Sequence, residues 1–259
     1  MPFADCRLPF PFPALILRNP NYQFMKWSEF FTSSVGKKLV MALTGLFLII
    51  YLIIHVCINA CIFNDLPFFD STDNGDMFNR AANFLATSAL IRALEYVLFL
   101  GFIIHIIQGY VLEARNLSRR GQGYKINLAN KGSKWYSRTM GLMGTLLLLF
   151  LIIHLAHFWV PSRFTGLEEV EGKKYHDLFK LMVAVFHNPL VVILYVVACI
   201  SLAYHLMHGF QSAFRTLGVS NTKYTKLVGG LGTAYAIIIP FVFALMPIAV
   251  YFDWIGYNN

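Results

Sequence analysis

Long stretches without charge dominate this sequence and restrict what it can fold into. Four of them contain no Asp, Glu, Lys or Arg: 39–64, 139–162, 181–214 and 227–252. A helix needs about 20 apolar residues to cross the hydrocarbon core of a bilayer, which is about 30 Å thick. A weaker stretch between Glu95 and Glu113 reaches that length only if it begins near Ser88. The sequence therefore predicts an all-α membrane protein with five transmembrane helices.

Composition agrees with this fold class. Charged residues make up 13% of the chain, whereas soluble domains carry about 25%. The net charge of +8 is also found in nucleic-acid-binding proteins, but here the basic residues lie between the apolar stretches, so we expect no nucleic-acid partner. The predicted spans are 38–63, 88–113, 138–160, 188–214 and 228–252.

The chain divides into a short extension and one transmembrane domain, 25–259. Residues 1–24 hold five prolines and no apolar region followed by a cleavage site, so they lack the pattern of a signal peptide. Two interpretations stand for this extension: translation begins at Met25, or the segment is a disordered cytoplasmic tail.

The loops between the spans predict an orientation. Loop 113–138 holds seven Lys or Arg against one acid, and loop 215–226 holds three and none. The other two loops are acidic or balanced. The positive-inside rule then places the N-terminus and the basic loops in the cytoplasm. We expect a multi-pass protein of the bacterial inner (cytoplasmic) membrane.

One histidine in each of the first four spans falls into a repeated frame with a glycine. The first and third spans have a glycine ten residues before the histidine, and the second and fourth have one four residues after it. The frames are Gly45 with His55, Gly144 with His154, His105 with Gly109, and His205 with Gly209. The two frames alternate from span to span, which indicates that the four histidines belong to one repeated arrangement.

The alternating direction of the spans sorts these histidines by depth. His55 and His154, here called the outer pair, lie near the predicted outer side. His105 and His205, the inner pair, lie near the cytoplasmic side. Ten residues at about 1.5 Å each separate two levels by about 15 Å. The glycines of the first and third spans should therefore lie beside the inner pair.

Paired histidines at two depths favour bis-histidine haem b over simple interhelical packing. Ionisable residues inside a membrane are functional candidates by default, and glycine lets a flat macrocycle approach the backbone. Two imidazoles fill both axial positions of the iron, which suits electron transfer rather than O₂ binding. His157 and His208 lie three residues after candidate ligands and could replace them, whereas His176 and His187 should be solvated or interfacial.

Arg92 and Glu95 are the charged residues drawn into the second span. Glu95 precedes His105 by ten residues, which places it at the level of the outer pair. It is a candidate for proton exchange with a quinone. The alternatives are an ion pair between Glu95 and Arg92, or a contact from Arg92 to a haem propionate.

Three segments resemble one known family: SSVGKKLVMALTGLFLIIYLIIHVCIN, HLAHFWVP and YHLMHGFQSAFRTLG. They are similar to the dihaem cytochrome b membrane anchor of succinate dehydrogenases and fumarate reductases, in its single-subunit five-helix form. The resemblance covers about residues 26–252. It implies that the first four helices form a haem-binding bundle. It assigns one haem b to the outer pair and one to the inner pair. In the fourth span, the family's spacing from the ligand to two later glycines matches His205, Gly209 and Gly218. The same spacing does not match His208.

The resemblance also implies partners and a reaction. The anchor would bind a flavoprotein and an iron–sulfur subunit on the cytoplasmic face and pass electrons to quinone, with menaquinone expected ahead of ubiquinone. Succinate itself would be oxidised on the flavoprotein. One departure is Ala203, where some dihaem members carry a glutamate used as a proton route.

Three other functions compete with this interpretation, and one of them is a structural membrane anchor without haem. A cytochrome b anchor of a hydrogenase or formate dehydrogenase also uses bis-histidine haem, with different helix spacing. A transporter could use the histidines as a proton relay, but the first and third spans offer few other polar groups for one.

Overall fold

A computed structural model describes residues 33–70, 72–120, 139–219 and 221–256. The extension 1–24 and most of the basic loop 113–138 lie outside the described residues. Seven α-helices occur in the described part: α1 (Ser34–Asn59), α2 (Asp76–Thr87), α3 (Ala89–Arg120), α4 (Met140–His154), α5 (Leu178–Phe186), α6 (Pro189–Thr216) and α7 (Thr222–Tyr251).

Five of these helices are long and apolar enough to cross a membrane. They are α1, α3, α4, α6 and α7, so the predicted fold class is confirmed. The bounds differ locally from the prediction. α3 continues seven residues past Glu113, and α7 begins six residues earlier than predicted. The third span continues beyond α4 through two π-helical segments, Leu155–Trp159 and Pro161–Thr165.

Four spans form a ring, and the fifth packs on its outside. Around the ring, α1 lies beside α3, α3 beside α4, α4 beside α6, and α6 beside α1. This leaves α1 opposite α4 and α3 opposite α6, on the two diagonals. α7 packs chiefly along α6, where a side chain at Gly232 would meet the Phe210 ring at 2.6 Å. Tyr235 of α7 also donates a hydrogen bond to the Ile49 carbonyl of α1 at 2.7 Å.

The most tightly packed region lies at the end of the ring that carries the outer pair, here called the outer end. Phe179, Ile62, Val250 and Ile255 are at most 1% exposed there. Large apolar side chains such as Leu100 point away from the helix bundle and are exposed. Exposed apolar faces on spanning helices are the expected surface toward lipid.

The helices α2 and α5 form a cap on the outer end that the sequence analysis did not predict. Asp76, at the start of α2, accepts hydrogen bonds from Lys173 and Tyr175 of the second outer loop. Burial acts to raise the pKa of Asp76, but these hydrogen bonds outweigh it and the pKa lies below the usual carboxyl value. Gly75 has a φ of 74°, and a side chain there would collide with Phe179. A glycine is therefore required at this turn.

Asn79 links the two cap helices and is only 2% exposed. Its amide donates to Asp177 at 2.9 Å, and its carbonyl oxygen accepts from the Phe179 N–H at 2.9 Å. We expect Asn79→Ala to destabilise the cap by about 1–3 kcal/mol, because a buried N–H loses its acceptor. Thermal unfolding in detergent measures this, with Asn83→Ala on the same helix, at a partly exposed position, as the control. Equal melting temperatures for the two variants would contradict the assignment.

Candidate functional site

The outer pair brings together two helices that do not pack on each other. His55 is on α1, and His154 is the last residue of α4. Their ring centroids lie 5.9 Å apart, with the ring planes 87° from parallel. Aromatic rings surround them: Phe243 lies 5.5 Å from the His55 ring, and Phe150 and Phe158 lie 5.6 and 5.5 Å from the His154 ring. This packing holds the two imidazoles in a water-poor environment.

The inner pair joins the other diagonal. His105 of α3 and His205 of α6 have ring centroids 6.3 Å apart and ring planes at 63°. Each pair thus spans one diagonal of the four-helix ring, and the two pairs lie at different heights. The structure therefore brings together the same histidines that were paired by their predicted depth.

Two of the four predicted glycines lie against the inner pair. A Cβ on Gly45 would be 3.4 Å from His105 Cε1, and one on Gly144 would be 3.9 Å from His205 Cε1. The ten-residue offset therefore places these glycines at the inner level, as predicted. The other two glycines do not contact a histidine: Gly109 faces Met41 at 3.7 Å, and Gly209 has nothing within 4 Å.

Unpaired polar atoms concentrate around the histidines. Within the described ranges, three buried side-chain polar atoms have no hydrogen-bond partner: Gln108 Oε1, His154 Nδ1 and His205 Nδ1. Gln108 lies one turn from His105. Buried polar atoms are nearly always partnered in native proteins, so this concentration of exceptions is typical of a site that binds a ligand.

The donor set fits haem better than a bare metal ion. The described part of the chain contains no group of three or more His, Cys, Asp or Glu that could hold a metal. A bare zinc ion takes three or four protein ligands, whereas haem supplies its own ring nitrogens and needs two axial ligands. Imidazole binds metal at about 2 Å, so ring centroids 5.9 and 6.3 Å apart are compatible with one iron between each pair. The haem-binding roles of these residues stay predictions.

His157 contacts Tyr195 of the adjacent helix α6. His157 hydrogen-bonds through Nδ1 to the Tyr195 hydroxyl at 3.1 Å and stacks on that ring at 11°. It is His154 that faces His55, and His205 that faces His105. His176 and His187 are exposed, as predicted for solvated or interfacial positions.

Glu95 is held by residues that the sequence analysis missed. Its Oε1 accepts from Trp159 Nε1 at 2.5 Å, and its Oε2 accepts from Arg163 at 2.7 Å. The alternative that paired Glu95 with Arg92 is therefore wrong. Arg92 is exposed on α3, and its contact with a propionate stays a prediction.

The partners of Glu95 come from the π-helical end of the third span. A π-helix has a wider turn than an α-helix and is often found at functional sites. Its second segment lies beyond the predicted limit at residue 160, because Arg163 is the first charged residue after the apolar stretch. No sequence pattern indicated that the third span would turn two side chains toward Glu95.

No model of a protein family, no curated protein and no solved structure matches this chain. The functional interpretation therefore depends on the geometry of its own residues.

The Gly45 contact predicts how the inner site responds to a larger side chain. We expect Gly45→Leu to displace His105, since overpacking costs about 1–3 kcal/mol. With haem bound as predicted, this displacement should reduce or shift the haem signal of the inner pair. Gly45→Ala is the matched control, because a Cβ at 3.4 Å is an ordinary contact. Redox titration of the visible spectrum measures the effect. A change confined to the outer haem in Gly45→Leu would contradict the depth assignment.

Proposed function

We propose that this chain is the membrane anchor and electron-transfer subunit of a succinate:quinone oxidoreductase. The observation that carries the proposal is the arrangement of two histidine pairs, one on each diagonal of the four-helix ring and at two depths. The resemblance of residues 26–252 to dihaem anchors points to the same function. The five spans support a multi-pass membrane location. The bacterial inner membrane and a cytoplasmic N-terminus belong to the proposal.

The histidines would act as axial ligands. His55 and His154 would hold one haem b, and His105 and His205 the other. Haem b ligated by two histidines exchanges single electrons and leaves no iron position for O₂. The surrounding aromatic side chains exclude water and fix the imidazole planes at the outer level. The two levels, about 15 Å apart along the helices, would connect the two sides of the membrane.

Quinone chemistry would occur near the outer pair. A quinone takes up or releases one proton with each electron, so a titratable group must lie within hydrogen-bond reach of a ring oxygen. Glu95 is such a group, and its side chain is 23% exposed. Trp159 and Arg163 orient the carboxylate through their hydrogen bonds to its two oxygens. The competing position near Trp135 and Arg138 lies outside the described residues.

The cytoplasmic face would bind the flavoprotein and iron–sulfur subunits. Basic residues collect at the inner ends of the spans, including Arg215 at the end of α6 and Lys223 and Lys226 at the start of α7. An interface of this kind attracts an acidic partner surface and sets its orientation. Electrons from the iron–sulfur subunit would reach the inner pair first, then the outer pair and quinone.

The paired ligands predict the haem content. We expect two low-spin b haems per chain in a pyridine haemochrome assay of the purified protein. His55→Ala and His154→Ala should remove the same haem, and His105→Ala and His205→Ala the other, because an iron with one axial ligand is poorly held. His157→Ala and His208→Ala are controls that should retain both haems. A count of one haem or none would refute the proposal.

The Glu95 contacts predict a selective loss of quinone reactivity. In the assembled complex we expect Glu95→Gln to lower quinone-coupled turnover by roughly 100-fold or more, since general acid–base groups contribute that much. Both haems and succinate oxidation with an artificial acceptor should survive. Glu113→Gln, at the opposite end of the same helix, is the control. Normal quinone turnover in Glu95→Gln would exclude this role, and an inhibitor mapped beside Arg138 would move the site inward.

A further inference from the structure

Thr44 of α1 contacts a histidine on a different helix. Its hydroxyl oxygen lies 3.2 Å from His105 Nδ1. This is the shortest hydrogen bond to a side chain made by any of the four paired histidines in the described structure. The His55 Nδ1 contacts with Tyr51 and Asn59 measure 3.4 Å, and Nδ1 of His154 and His205 has no partner.

The direction of this hydrogen bond follows from the other contacts of Thr44. A threonine hydroxyl has one hydrogen to donate. Its nearest acceptor is the Val40 carbonyl of the same helix at 2.9 Å, closer than His105 Nδ1, and the Met41 carbonyl lies at 3.2 Å. With the hydrogen assigned to the Val40 carbonyl, the hydroxyl oxygen accepts from His105. This assignment puts the proton of the neutral His105 ring on Nδ1 and the lone pair on Nε2.

We infer that Thr44 is a positioning residue for the inner haem: it fixes His105 in the tautomer and orientation that present Nε2 to iron. A ligating histidine usually donates its other N–H to an acceptor, which orients the ring and raises its basicity. The neighbouring Gly45 leaves room on the same face, where a Cβ would lie 3.4 Å from His105 Cε1. Together, Thr44 and Gly45 of α1 define the position of His105, the candidate haem ligand on α3.

This inference rests on the proposed function and refines it. It implies that the inner pair is asymmetric, because His105 has a fixed donor bond while His205 Nδ1 has none. It also implies that α1 serves both levels, since Thr44 precedes His55 by eleven residues, about 16 Å of helix. Removing the acceptor should make His105 a weaker donor to ferric iron and raise the midpoint potential of the inner haem.

The test is a redox titration of the purified, haem-loaded full chain carrying Thr44→Val. The inner haem is identified as the one missing in His105→Ala. We expect Thr44→Val to raise the inner midpoint potential, or to weaken inner haem retention by roughly 10- to 100-fold, with the outer haem unchanged. Thr44→Ser, which keeps the hydroxyl, should behave as the parent protein.

A matched control is Thr145→Val on α4, next to Gly144. The Thr145 hydroxyl contacts the Tyr110 hydroxyl and the Gly141 carbonyl, both at 2.9 Å. An unchanged inner haem in Thr44→Val, or an equal shift in Thr44→Val, Thr44→Ser and Thr145→Val, would overturn the inference. A parent protein without haem would instead overturn the proposed function, so the two failures are distinguishable.

Discussion

The cost of placing polar side chains in lipid governs how this protein is built. An unpaired polar group in hydrocarbon is unfavourable by several kcal/mol, so such groups must face each other or a bound ligand. The four histidines all point into the ring and meet in pairs. The outer faces of the same helices carry apolar residues such as Ile103, Ile152 and Ile200. A closed ring of helices keeps these histidines away from lipid, which a flat layer of helices would not do.

The alternating direction of the spans places histidines with similar positions along their helices at two different heights. In each of the four predicted spans the histidine lies toward the C-terminal end, and neighbouring spans run in opposite directions. Diagonal helices run in the same direction, so their histidines meet at one height. This geometry explains why glycines ten residues before His55 and His154 contact the inner pair. Each of α1 and α4 thus contributes a histidine to one level and a close backbone approach to the other.

The sequence predicts the spans and the histidine pairing because long-range order here follows from the bilayer. Membrane thickness fixes helix length, and helix rise fixes depth. Three features do not follow from membrane thickness and helix rise. The cap helices α2 and α5 are 12 and 9 residues long, and tertiary contacts such as that of Asn79 with Asp177 hold them together. The π-helical end of the third span has no sequence signature. The pairing of Glu95 with Arg163 joins residues 68 positions apart, which depth alone does not predict.

The cap also determines how an apolar substrate reaches Glu95 in the proposed function. Above the outer pair, α2, α5 and the loops close the end of the ring, and Phe179 and Ile62 are fully buried there. Beside Glu95, in contrast, Tyr96 and Phe164 are more than 70% exposed on the flank of α3 and the third span. A quinone with an isoprenoid tail is dissolved in the bilayer. It would therefore approach from the lipid side, between these two spans, and meet the carboxylate without crossing the cap.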